Sequence, residues 1–224
     1  MASFRLNFAR IRGCCRPEEL VQAMAEFGLP ETEEFGVLDA SANGPAAFGT
    51  IIRKTQQAVQ KLDPDSQQIV SQAVEKVSVL PFAVRPDTEM LEIYAGPASS
   101  IEQLGAFFGS CLALPTLVEP IEVDVPASIE KMMNNADRPQ LKSVRVKEYA
   151  HNSFMSGPYA PKFLDTQHGK DFLEEYAEFA SQARIRFKAP GGFASVSITP
   201  KATFSYSCNE DDQPVVQSLL RKLI

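Results

Sequence analysis

In Arg184-Ile185-Arg186-Phe187-Lys188 a cation stands at every second position. Side chains on a strand alternate between faces, so this spacing puts three cations on one face and Ile185 with Phe187 on the other. Ser143-Val144-Arg145-Val146-Lys147 repeats the arrangement, with Arg145 and Lys147 opposed to Val144 and Val146. Arg5, Arg10, Arg12 and Arg16 all precede the first acidic residue, Glu18. Cations so spaced meet successive phosphates and give salt-sensitive, sequence-tolerant binding. The candidate nucleic-acid-binding residues are therefore Arg184, Arg186, Lys188, Arg145 and Lys147. The competing reading is a polar sheet face whose charges pair with Asp and Glu of other elements.

Residues that could do covalent or metal chemistry are sparse. The two histidines, His151 and His168, stand in loop-like stretches, and no HExxH, HxH or CxxC spacing offers a metal its ligands. No GxSxG elbow surrounds a serine, and Cys111 and Cys208 fall on apolar faces where a thiol stays inert. Phosphate-binding loops of the GxxxxGK[ST] and GxGxxG kinds are missing. Pro190-Gly191-Gly192 reads as a turn between strands, and Glu31, Glu33 and Glu34 as a solvated loop. Asn209-Glu210-Asp211-Asp212 reads as an acidic turn capping the last helix. These observations assign no catalytic residue, no metal and no cofactor.

The chain has 224 residues, 44% hydrophobic and 22% charged, enough for one large domain or two smaller ones with proper cores. Its net charge of −6 excludes a protein coated in cations, though not one with a localised basic face. The first residues carry basic groups without an apolar stretch, and no run is long enough to span a bilayer, so a cytoplasmic protein is expected. Cys14, Cys15, Cys111 and Cys208 are then expected as reduced thiols.

A strand followed at once by an amphipathic helix occurs three times: Phe4–Arg12 with Glu18–Phe27, Met90–Ala95 with Ser99–Leu114, and Thr203–Cys208 with Val215–Ile224. In the last two an alternating strand precedes, giving hairpin then helix. A short strand at Phe35–Leu38 leads to a turn at Asn43-Gly44-Pro45. Thr50–Leu62 suits strand or helix, and Ser66–Lys76 reads as a helix with Ile69, Val70 and Ala73 inward. Pro115, Pro120 and Pro126 bracket an extended segment, Leu117–Val125, after which Ser128 can cap a short helix. Leu141–Tyr149 reads as a strand and Asp171–Gln182 as a helix with Glu174, Glu175 and Glu178 outward. The fold class expected is α+β, antiparallel sheets with helices on one face. The domains expected are residues 1–118 and 119–224, two halves that share the hairpin–helix pattern.

The order of elements resembles the recombination-associated DNA-binding proteins of the RdgC family. The likeness lies in an opening strand and helix, a long polar helical insertion, and a short-turn hairpin directly before an amphipathic helix. The similar stretch is Val77–Glu119, with Glu89-Met90-Leu91-Glu92-Ile93-Tyr94-Ala95 as second strand and Leu114-Pro115-Thr116-Leu117-Val118 as exit. The terminal Thr203–Ile224 strand and helix is also similar to that family's ending. The resemblance implies non-specific duplex DNA binding without catalysis, and members are longer than this chain. The alternative is an assembly or adaptor subunit that binds protein, or its own copies, without touching nucleic acid.

Overall fold

The computed structural model describes residues 2–13, 16–30, 33–62, 64, 67–112, 114, 116–152 and 155–224. The chain is α+β and divides into two compact units, Arg10–Glu119 and Met1–Ala9 with Pro120–Ile224. Strand β1 (Ala2–Arg12) contributes residues to both.

In the unit Arg10–Glu119, helix α1 (Pro17–Phe27) starts with Pro17 in its first turn, and the Glu19 carboxylate reaches back to accept the Arg16 N–H at 3.2 Å. Strands β2 (Phe35–Asn43), β3 (Ala46–Leu62), β4 (Ile69–Arg85) and β5 (Met90–Ile93) pair antiparallel in that order. The β2–β3 hairpin turns where the sequence signals it, with Gly44 at φ 58°. Helix α2 (Ser100–Ala106) runs on into a π-helical turn, Phe107–Cys111, and β6 (Leu117–Pro120) follows. Ser99 holds the N-cap position without a side-chain capping bond.

Phe107 and Phe108 anchor this unit. Phe108 meets Phe82 of β4 edge-on at 5.4 Å, and Phe107 meets Phe27 and Phe35 at 5.5 and 5.8 Å. Gly49 belongs to the same packing, because a Cβ there would lie 2.9 Å from the Phe82 ring and 3.1 Å from the Met24 sulfur. The helix after β5 therefore packs on the sheet that contains its preceding strands, as the hairpin–helix pattern requires.

The helix expected over Ser66–Lys76 does not form. Ser66 lies outside the described residues, and Ile69–Lys76 belongs to β4, paired with β3 from Leu62↔Ile69 to Thr55↔Lys76. Ile69, Val70 and Ala73 suggested a helical stripe, but the segment is rich in β-branched residues that favour a pleated strand. Thr50–Leu62 is likewise strand. Where the family resemblance implied a polar helical insertion, this chain has a two-stranded ribbon that outruns β2, whose pairing ends at Phe35↔Arg53.

In the other unit the antiparallel order is β1-β11-β10-β9-β7-β8, built from β7 (Asp137–Asn152), β8 (Met155–Tyr159), β9 (Ala180–Ala189), β10 (Gly192–Ile198) and β11 (Thr203–Cys208). Helix α3 (Val125–Asn135) lies against β9 and β7 with Ile129 and Met132 buried. Helix α5 (Gln213–Arg221) buries Val216 and Leu220 and ties to β11 where Gln217 donates to the Tyr206 hydroxyl at 3.0 Å. Leu6, Phe8, Phe204, Val196, Ile185, Phe187, Val144 and Val146 make the apolar layer of this sheet.

Helix boundaries move where a carboxylate caps earlier than expected. Asp124, not Ser128, caps α3 by accepting the Ala127 N–H at 3.0 Å, so only Leu117–Pro120 of the extended segment is strand. Asp165 caps α4 (Thr166–Tyr176) by accepting the His168 N–H at 3.0 Å, which starts that helix before Asp171. A 3-10 turn at Ala177–Phe179 then ends it, and Ala180 is already strand. Among the described residues no helix is long and apolar enough to cross a membrane.

Candidate nucleic-acid interface

The site is built on β9. Ala183, Ile185, Phe187 and Ala189 are buried, while Arg184, Arg186 and Lys188 between them are exposed. The alternation read from the sequence is therefore the alternation in the structure, and these three cations share one face. On the neighbouring β7 a register shift between Leu141 and Ser143 resets the phase, so Leu141 and Val144 both face inward. Arg145 and Lys147 are exposed as a result.

Strand register defines what surrounds each cation. Arg184 stands between Ser197 of β10 and Ser143 of β7. Arg186 stands between Ser195 and Gln140, and Lys188 between Phe193 and Asp137. Beyond β10 the rows continue as Ser197↔Ser205↔Arg5 and Ser195↔Ser207↔Ser3. Arg145 lies opposite Gln182. A concavity of about 570 Å³ opens over this serine floor, with Arg145, Arg184, Gln182 and Tyr159 among its lining residues.

Local contacts hold the cations in place without cancelling their charge. Arg184 Nε donates to Ser195 Oγ at 3.0 Å, and the Arg186 guanidinium lies 4.1 Å from the centre of the Phe193 ring. Among the described residues none of Arg145, Lys147, Arg184, Arg186 and Lys188 is in an ion pair. Glu174, Glu175 and Glu178, the carboxylates that could have neutralised this face, are exposed and do not pair with it. Of the amino-terminal cations, Arg12 is paired with Glu89 and Glu119, and Arg16 with Glu19.

The β9–β10 turn is fixed from below. Buried Asp212 accepts the Gly191 N–H at 2.9 and 3.2 Å, and Asn209 donates to the Gly191 carbonyl. A Cβ at Gly191 would sit 2.8 Å from Asn209 Nδ2 and 2.9 Å from an Asp212 oxygen, so a larger residue there would displace the side chains that hold the turn. The acidic turn was expected to cap α5. Instead, Asp212 stands at that cap position with no side-chain capping bond, because its carboxylate faces Gly191.

No cysteine or histidine is among the residues that line the concavity. Cys208 is buried, and burial pushes its thiol pKa up, away from reactivity. His168 is not in a loop but in the first turn of α4, its Nδ1 2.5 Å from an Asp165 oxygen. His151 falls in β7, with its side chain outside the described residues, as is that of Cys111; Cys14 and Cys15 also lie outside them. Among the described residues no three His, Cys, Asp or Glu come together to hold a metal.

Two features escaped sequence reading. One is the fully buried Glu92 of β5, bonded by Arg85 Nε at 2.8 Å and by the Tyr94 hydroxyl at 2.8 Å. Their spacing, 85, 92 and 94, crosses a turn and a strand, so only the hairpin register could have shown it. The other is the serine grid, whose members are dispersed over β1, β7, β10 and β11. Alternating serines in Ser195-Val196-Ser197 and Ser205-Tyr206-Ser207 were the available signal. No known protein-family model matches the chain, and no curated protein matches it.

Proposed function

We propose that this chain is a non-enzymatic binding protein that engages nucleic acid through the exposed face of β7, β9 and β10. The observation that carries the reading is the row Arg184, Arg186 and Lys188, exposed on one strand face beside Arg145 and Lys147, with none of the five in an ion pair among the described residues. Unneutralised cations on a rigid sheet attract phosphate without reading base sequence. The pattern resemblance to the RdgC family supports the same reading. It extends it to a recombination-associated DNA-binding protein working as an oligomer, and the residue patterns add a cytoplasmic location to the proposal. Fluorescence anisotropy with duplex and single-stranded DNA at two salt concentrations tests it. Binding that weakens steeply with salt and ignores sequence is the expected result, and no binding at low salt would refute it.

A second reading, a protein-assembly subunit, is favoured by the ribbon of β3 and β4. From Thr55↔Lys76 to Leu62↔Ile69 the two strands, among the described residues, pair with each other and with no further strand, over roughly 25 Å. Leu62 is 62% and Ile69 70% exposed, with Val59, Val70, Val74 and Val77 exposed as well. A lone two-stranded ribbon is marginal in water, and packing against a protein surface would stabilise it. Sedimentation over a range of concentrations distinguishes this role: a Leu62→Lys/Ile69→Lys variant that dissociates a wild-type assembly supports it, and a wild type that stays monomeric opposes it.

A further inference from the structure

We infer that the serine-floored concavity beside Arg145 and Arg184 seats a ribose–phosphate backbone, so the preferred partner is single-stranded RNA; this rests on the nucleic-acid reading above. Its volume of about 570 Å³ falls within the roughly 300–1,000 Å³ of clefts that hold compact ligands, room for the nucleotides of one strand. The floor is low because serine follows serine across strands, Ser3↔Ser207↔Ser195 and Ser205↔Ser197.

The balance of polar groups points to a ligand with hydroxyls as well as anions. Six serines line the concavity against two arginines. Two of these hydroxyls are oriented: Ser195 Oγ accepts from Arg184 Nε at 3.0 Å, and Ser197 Oγ accepts from Gln182 Nε2 at 2.8 Å. A hydroxyl that already accepts keeps its own O–H to donate and a lone pair to accept. Arg145 and Arg184 provide charge for phosphate, which DNA and RNA share. Hydroxyls that both donate and accept match the 2′-OH, which only RNA carries.

The test compares a single-stranded RNA 12-mer and the DNA of the same base sequence by anisotropy, using the full chain at one salt concentration. Wild type should bind the RNA about five-fold tighter or more, the size of one net hydrogen bond. Ser197→Ala/Ser205→Ala should bring RNA affinity down to that of the DNA, with binding to both still weakening with salt, since both arginines remain. Ser3→Ala/Ser207→Ala gives a second variant, and the melting temperature of each verifies folding. Equal affinity for RNA and DNA, or an RNA preference that both folded variants keep, overturns the inference while the nucleic-acid reading stands. Binding of neither polymer overturns both. An adenosine 5′-monophosphate competitor separates the sources of ribose–phosphate. Displacement of RNA at equimolar mononucleotide would make this a small-molecule site and overturn the polymer assignment.

Discussion

Glu92 and Arg85 show what burial does to a charge. A carboxylate with no exposed side-chain surface needs a partner, and here a guanidinium and a phenol supply it. Arg85→Ala would take the guanidinium from the buried Glu92 carboxylate, and should cost roughly 3 kcal/mol, the low end for a broken buried pair because Arg85 is itself a quarter exposed. Urea unfolding of the variant measures this, and a loss below about 1 kcal/mol would show that Glu92 protonates or reaches water instead. The same scale holds a pH-dependent pair. The hydrogen bond to Asp165 raises the His168 pKa, and the N–H of His168 lowers that of Asp165. The raised imidazole stabilises α4 below its unfolded pKa and loses that effect as pH rises through the folded value. The lowered carboxylate stabilises above its unfolded pKa and loses the effect as pH falls through the folded value. The contribution is therefore greatest between about pH 4 and 6.5. Proton NMR titration should place the His168 midpoint above the ordinary imidazole value, and Asp165→Asn should bring it back. A midpoint that does not move in Asp165→Asn would separate the two groups.

Elements with one clear period were legible in the residues. Thr203–Cys208 was read with its observed limits, and Arg184–Lys188 with its faces assigned, because burial on one side and solvent on the other write a two-residue repeat. Helix starts were less legible, since Asp124 and Asp165 cap helices from positions that look like loop until the backbone is known. Ile69–Lys76 was misread for a different reason: both faces of the ribbon are exposed, so no one-sided burial imposes alternation on its sequence. The bulge at Leu141–Ser143 hid the phase of β7, yet Arg145 and Lys147 were read correctly because they lie beyond it. The helix after β5 carries the element-scale prediction. Phe107 and Phe108 are fully buried and touch Phe27, Phe35 and Phe82, so replacing either by Ala should cost roughly 3–5 kcal/mol. Thermal and denaturant unfolding measure that loss, and a change near zero at both positions would remove this helix from the core.

On the scale of the whole molecule, the net charge of −6 and the exposed cations of β7 and β9 are compatible because they answer different questions. Total charge governs solubility and long-range repulsion, while the local arrangement governs which partner can approach. An acidic chain with an unneutralised basic sheet face should bind polyanions only through that face, so few residues control the salt dependence. The most direct measurement is the logarithmic salt slope of nucleic-acid binding for wild type and for Arg184→Ala/Arg186→Ala. Removal of two phosphate contacts should make the slope shallower by about 0.9 per contact on duplex DNA, or about 0.7 on a single strand, with affinity falling alike for every sequence. Unfolding stability should fall by no more than about 1–2 kcal/mol, the loss of the exposed Arg184–Ser195 bond and Arg186–Phe193 contact. Binding that keeps its slope and affinity in the folded double variant would contradict the account.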